Sequence, residues 1–164
     1  VGSEMCIRDS LRTGCRSMTE HQRLLSDSAL TVFRLNGQFL ALAESLAQPV
    51  GLTATRWQVL GAVIDTPLTV SDIARSMGIT RQSVQRTADL LVADGLLTYR
   101  DNPAHRRAKL VAITDDGRAA NDAIGPAHRI VADRLASILG DQRWQQALDA
   151  LHDLSAALDA HPVA

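Results

Sequence analysis

The stretch Thr69–Gly95, TVSDIARSMGITRQSVQRTADLLVADG, decides the fold. Thr69 offers a side-chain oxygen that can cap a helix, and VSDIARSM follows as a short run that Gly78 ends. Thr80 caps a second run, RQSVQRTADLLVAD, which Gly95 ends. Two helices joined through a glycine-centred turn of about three residues make a helix-turn-helix. Ile73, Ala74, Met77, Ile79, Val84, Ala88 and Leu91 are expected to fill its small core, with Ala74 and Gly78 small where the helices approach.

With Val84, Ala88 and Leu91 in that core, the second helix presents Arg81, Gln82, Gln85, Arg86 and Asp89 on its opposite face, and Ser83 between the two. Arginine reads guanine bidentately and glutamine reads adenine. Short polar groups and helix N-termini, here Thr69 and Thr80, hold phosphates. An isolated surface helix would show a similar polar face. Its place after a capped helix and a tight turn favours a recognition helix.

Beyond Gly95, LLTYR reads as a short strand, Asp101-Asn102-Pro103 as a turn and KLVAI as a second strand with Val111 and Ile113 on one face. This hairpin is the expected wing. Arg106, Arg107 and Lys109 lie at or beside its tip, where a mobile arginine can enter a narrow minor groove. Upstream, apolar residues recur at helical spacing from Thr19 to Gln48, on more than one face in part, and Pro49 and Gly51 end the run. Thr53 caps TATRWQVLGAVI, whose Trp57, Leu60 and Ile64 share a face. Downstream, Thr114 caps a helix over 115–139 with an irregularity at Gly125-Pro126. Gly140 ends it, and Asp141 caps a last helix striped by Trp144, Leu148, Leu151, Leu154 and Leu158.

The charge is unevenly spread. The 164 residues carry a formal net charge of −1, but Thr53–Ile113 holds eight Arg and Lys against five Asp and Glu. A basic middle between acidic flanks fits a DNA-reading module set between partner-binding helices. Aromatics are only 3% of the chain, so the core is built from Leu, Ile, Val and Ala, which favours helices. No apolar run reaches the roughly 20 residues of a membrane span. Residues 1–17, VGSEMCIRDSLRTGCRS, show neither an amphipathic period nor a signal-peptide core, and are read as a non-native or disordered leader before Met18. Both cysteines, Cys6 and Cys15, fall in it and match no zinc spacing. A reduced, cytoplasmic setting is the expectation.

The run Leu68–Arg118, LTVSDIARSMGITRQSVQRTADLLVADGLLTYRDNPAHRRAKLVAITDDGR, resembles the MarR family of transcriptional regulators throughout. ITRQSVQRTADLLVADGLL is similar to the family's recognition helix and following strand, and NPAHRRAKLVAITDDGR to its wing and next helix. The long first helix and the two terminal helices match its dimerisation layout. The resemblance implies a mainly α fold with a small β-hairpin wing: a winged helix-turn-helix over 51–114, flanked by dimerisation helices over 18–50 and 115–164. It implies a homodimer on double-stranded DNA, acting as a ligand-responsive repressor at a pseudo-palindromic operator. It also implies a small aromatic or phenolic effector, with Phe39, Trp57 and His128 on helices that would line its pocket; plain core packing is the competing role for all three. One position departs from the pattern. The family's wing carries Asp-x-Arg, and here His105 takes the place of the Asp while Arg107 keeps the Arg. Wing geometry, affinity and their pH dependence are expected to differ accordingly.

Other classes fit less well. No HExxH, GxSxG, P-loop or Rossmann glycine pattern is present, so an enzyme is not expected, and no cofactor or metal is implied. Two alternatives stay open. One is a winged-helix module that docks proteins, although a docking surface favours an apolar patch over Arg and Gln. The other is a metal-responsive regulator, for which His128 and His152 would have to converge.

Overall fold

The computed structural model describes residues 18–105 and 107–161; the leader with its two cysteines, and Arg106, lie outside them. The helices are α1 (Glu20–Ala47), α2 (Ala54–Ala62), α3 (Val70–Met77), α4 (Arg81–Ala93), α5 (Asp115–Asp122), α6 (Gly125–Leu139) and α7 (Asp141–Asp159). The strands are β1 (Leu68–Thr69), β2 (Leu97–Arg100) and β3 (Leu110–Ile113). Two compact units divide at Ala41 and Leu42.

The first unit carries most of α1. Leu24, Leu25, Leu30, Phe33 and Phe39 are all more than half exposed there. A helix this long, with large apolar side chains in water, is not stabilised by its own unit alone.

The second unit holds the core. Leu46 and Ala47 from the end of α1 join Val59, Leu60 and Val63, Ile73, Val84, Ala88 and Leu91, the strand residues Leu97, Val111 and Ile113, and Ile124. Four threonines start four of its helices. Thr53, Thr69, Thr80 and Thr114 each accept a hydrogen bond from the backbone N–H three residues on. The end of α1 tightens to a single 3-10 turn, Gln48–Val50, which Gly51 closes with a φ of 77°.

Several expectations change in detail. The wing is not an isolated hairpin, because Leu68 and Thr69 pair with Val111 and Leu110. The strand order is β1-β3-β2, which makes β3 central. Ala112 is therefore buried along with Val111 and Ile113. Ile79, expected in the core, is 37% exposed in the turn after α3. A Cβ on Gly78 would meet nothing within 4 Å; the residue is required for its φ of +63°, not for a close approach. The helix expected over 115–139 is two helices, broken at Ala123–Ile124 ahead of Gly125-Pro126. Gly140 occupies the N-cap of α7, and Asp141 is its first helical residue, where a carboxylate favours the helix dipole.

Candidate nucleic-acid interface

The N-terminus of α4 stands on Thr80, and its first turn exposes Arg81, Gln82 and Ser83. Arg81, Gln82, Gln85, Arg86 and Asp89 form one continuous open face with Leu90. Val84, Thr87, Ala88 and Leu91 take the buried side. The buried Thr87 returns its hydroxyl to the Ser83 carbonyl at 3.1 Å, so burial leaves no unmet donor there.

Beside this face runs a groove of about 400 Å³ where three elements meet. Thr69, Val70 and Ser71 contribute from the start of α3, Arg81 and Gln85 from α4, and Tyr99, Arg107, Ala108 and Lys109 from the wing. Three cations and a helix N-terminus thus line one groove, which favours a polyanion. The wing turn is shaped locally. Asn102 accepts the Ala104 N–H on its side chain at 3.0 Å and the His105 N–H on its carbonyl at 3.2 Å. Ala108 N–H then closes on the His105 carbonyl at 3.0 Å. An Asx turn at Asn102 therefore shapes the wing tip ahead of His105.

Sequence reasoning places Arg81, Gln82, Ser83, Arg86, Arg107 and Lys109 at the exposed surface, and the structure has them exposed. Thr69 is less free than expected. Its hydroxyl donates to Asp72 Oδ2 at 2.7 Å and accepts the Asp72 N–H at 3.2 Å, so it caps α3 and its proton is spent. Gln85 is half-buried and bonded on its amide nitrogen, to Asp89 and to Tyr99. Tyr99 is the functional neighbour that the sequence reading misses. It pairs opposite Val111 in the sheet, and its hydroxyl donates to Asp89 Oδ1 at 2.6 Å. Burial, then the bond to Asp89, push its phenol up to about 12.

Two further ties hold α4 in place. Arg56 of α2 forms an ion pair with Asp94 at the C-cap of α4. Thr114 donates to the Gly95 carbonyl at 2.7 Å and accepts the Gly117 N–H at 3.0 Å, which joins the start of α5 to the strand that leaves α4. Elsewhere in this unit Trp57 donates to Asn121 Oδ1 at 3.0 Å and stands edge-on to His128, ring centroids 6.0 Å apart. Phe39 belongs to the other unit and is 54% exposed. Among the described residues no three His, Cys, Asp or Glu gather as metal ligands would, and no helix is long and apolar enough to cross a membrane.

Comparison with known proteins agrees with this geometry. The model of the MarR family matches residues 50–108. An uncharacterized protein of Mycobacterium tuberculosis is 40% identical over 141 residues, which span 86% of this chain and 96% of that protein. Among solved structures, the transcriptional regulator MOSR of M. tuberculosis in complex with DNA superposes with a TM-score of 0.68 at 25% identity, covering 82% of this chain and 98% of that one. CouR of Rhodococcus jostii RHA1, bound to p-coumaroyl-CoA, superposes with a TM-score of 0.69 at 24% identity, covering 80% and 93%.

Proposed function

The chain belongs to the MarR family of DNA-binding transcriptional regulators, and from that premise we propose that it is a cytoplasmic homodimer that represses transcription at a pseudo-palindromic operator. One observation carries the reading: Arg81 and Gln85 belong both to the open α4 face and to the groove that the wing residues Arg107 and Lys109 line. Residues 51–114 form the DNA-binding part. Residues 18–50 and 115–164 form the dimerisation part, whose exposed apolar side chains a second copy covers. Two copies of α4 enter successive major grooves about 10 base pairs apart. Arg81, Gln82, Gln85 and Arg86 face base edges; Ser83 and the capped turns of Thr69 and Thr80 face phosphates. Arg106 and Arg107 reach the flanking minor grooves, and Lys109 the backbone beside them. A two-fold protein reads a two-fold site.

The effector is a small aromatic or phenolic compound, and Trp57 with His128 is its proposed contact pair. The complex of CouR with p-coumaroyl-CoA supports an aromatic acyl group as the class to try. Such a ligand regulates only if it prefers one spacing of the two recognition helices.

Fluorescence anisotropy of DNA from upstream of the gene, against a scrambled duplex and over a salt series, tests the reading. Selective binding is expected. Arg107→Ala should weaken it roughly tenfold and flatten the salt slope by about one. Selective binding that the variant leaves unchanged would remove the wing assignment. No binding to any duplex at low salt would sink DNA recognition and put protein docking in its place.

A further inference from the structure

Two charges sit at the wrong ends of their helices. Arg56 lies in the first turn of α2, which holds no acidic residue of its own. Asp94 is the C-cap of α4, whose last turn holds no basic residue. A helix dipole favours anions at its start and cations at its end, so each residue is unfavourable in its local setting. The opposite charge comes instead from a neighbouring helix in both cases. The Arg56 guanidinium pairs with the Asp94 carboxylate, and the Glu44 carboxylate of α1 accepts the Ala54 N–H at the start of α2 at 2.6 Å. The end of α1, the start of α2 and the end of α4 are thus joined in series by polar contacts. Glu44, Ala54, Arg56 and Asp94 all belong to the second unit.

The ion pair offers little as plain stabilisation. Its side chains are 23% and 52% exposed, and pairs this open to water contribute little. What it supplies is direction. The core that α2 and α4 share is apolar, with Val59, Leu60, Val84, Ala88 and Leu91 in it. Apolar burial is non-directional, and packed helices slide past one another by small amounts. A charge-assisted hydrogen bond at one end removes that freedom. We propose that Arg56 and Glu44 are positioning residues for DNA recognition. Through Asp94 and Ala54 they fix the angle of α4 against the end of α1, and with it the half-site spacing that a dimer accepts. Neither residue is a DNA contact. The inference rests on the reading that two copies, joined by their terminal helices, set two α4 helices on one operator.

An operator recovered by selection from a randomised duplex library tests it, beside copies with one base pair inserted or removed between the half-sites and an isolated half-site. One base pair moves a half-site by about 3.4 Å and turns it by about 35°. The intact wild-type chain should bind the native spacing about tenfold more tightly than either altered copy. In Arg56→Met, and separately in Glu44→Ala, that ratio should fall to about threefold or less, with affinity for the half-site unchanged. The double variant Arg56→Asp, Asp94→Arg rebuilds the pair and gives each helix end the charge its dipole favours. It should restore the wild-type ratio and melt no lower than the wild type. A wild-type ratio in either single variant would overturn the inference. So would a double variant that melts lower or stays indifferent to spacing, or an equal loss on every duplex, half-site included, which is what damage to the fold alone would give. A wild type that binds selectively but ignores spacing would overturn it too. A wild type that selects no duplex would bring down the regulator reading itself.

Discussion

A Cβ added at Gly117 would run into the Leu96 carbonyl oxygen and come within 2.8 Å of Ile113 Cγ1. Neither neighbour can give way easily, because the Leu96 carbonyl also accepts the Thr114 N–H at 3.2 Å. Overpacking of this kind costs about 1–3 kcal/mol, against about 1 kcal/mol that alanine gains over glycine in a helix. Gly117→Ala should therefore lower the melting temperature, and calorimetry checks it; an unchanged or higher value would mean that the junction of α5 with the wing can yield. Tyr99 allows a second measurement, because it is the chain's single tyrosine. Near-ultraviolet absorbance should show its phenol titrating close to pH 12. The folded value lies above the unfolded one, so the stability it contributes is complete below about pH 10 and is lost as pH rises through the folded value. Asp89→Asn removes the charge but not the burial, and should move the midpoint down without restoring the ordinary value. Neither residue is legible in the sequence. Gly117 looks like any glycine in a polar first turn, and Tyr99 like any strand aromatic, because what defines each is a partner distant in sequence.

At the scale of elements, Thr69 ends β1 and begins α3, so one residue ties the sheet to the helix-turn-helix. Its hydroxyl is also the chief reason that the Asp72 carboxyl sits below its ordinary 3.8, with Arg75 adding to it. A carboxyl lowered in the folded state contributes stability that is present above its unfolded value and lost as pH falls through the folded one. Thr69→Ala should cost about 1 kcal/mol as a lost cap. It should also flatten the decline of the urea midpoint as pH falls below the ordinary carboxyl value of 3.8. A parallel decline in both proteins would exclude Asp72 from the acid response. The caps and end-stops at Thr53, Thr69, Thr80, Thr114, Gly78 and Gly95 were legible because a cap is a local bargain between neighbours in sequence. β1 was not, since two residues carry no period. The exposure of Ile79 was not either, because which side of a tight turn faces water depends on the packing of both helices.

At the scale of the whole molecule, the cationic α4 face and wing could be inferred from a charge contrast that the net charge of −1 conceals. The terminal helices pose the opposite problem: their apolar periods are plain in the sequence, and the single chain leaves them in water. Phe33 is 71% exposed, Ile130 70%, Ile138 69% and Leu158 64%. Single exposed apolar residues are ordinary; rows of them on helices from both units are not. In the proposed dimer a second copy would cover them and convert two weak half-site contacts into one bidentate contact, because the second recognition helix would then bind at high effective concentration. Phe33→Asp places a charge in that proposed interface while touching nothing at the recognition helix. Analytical ultracentrifugation should show it sedimenting as a monomer where the wild type is a dimer. Its affinity for the full operator should drop by roughly a hundredfold or more, while affinity for an isolated half-site stays level. The two DNA measurements separate the causes. An equal loss on both duplexes would point to a damaged DNA-binding unit, and an unchanged dimer would move the interface away from this part of α1.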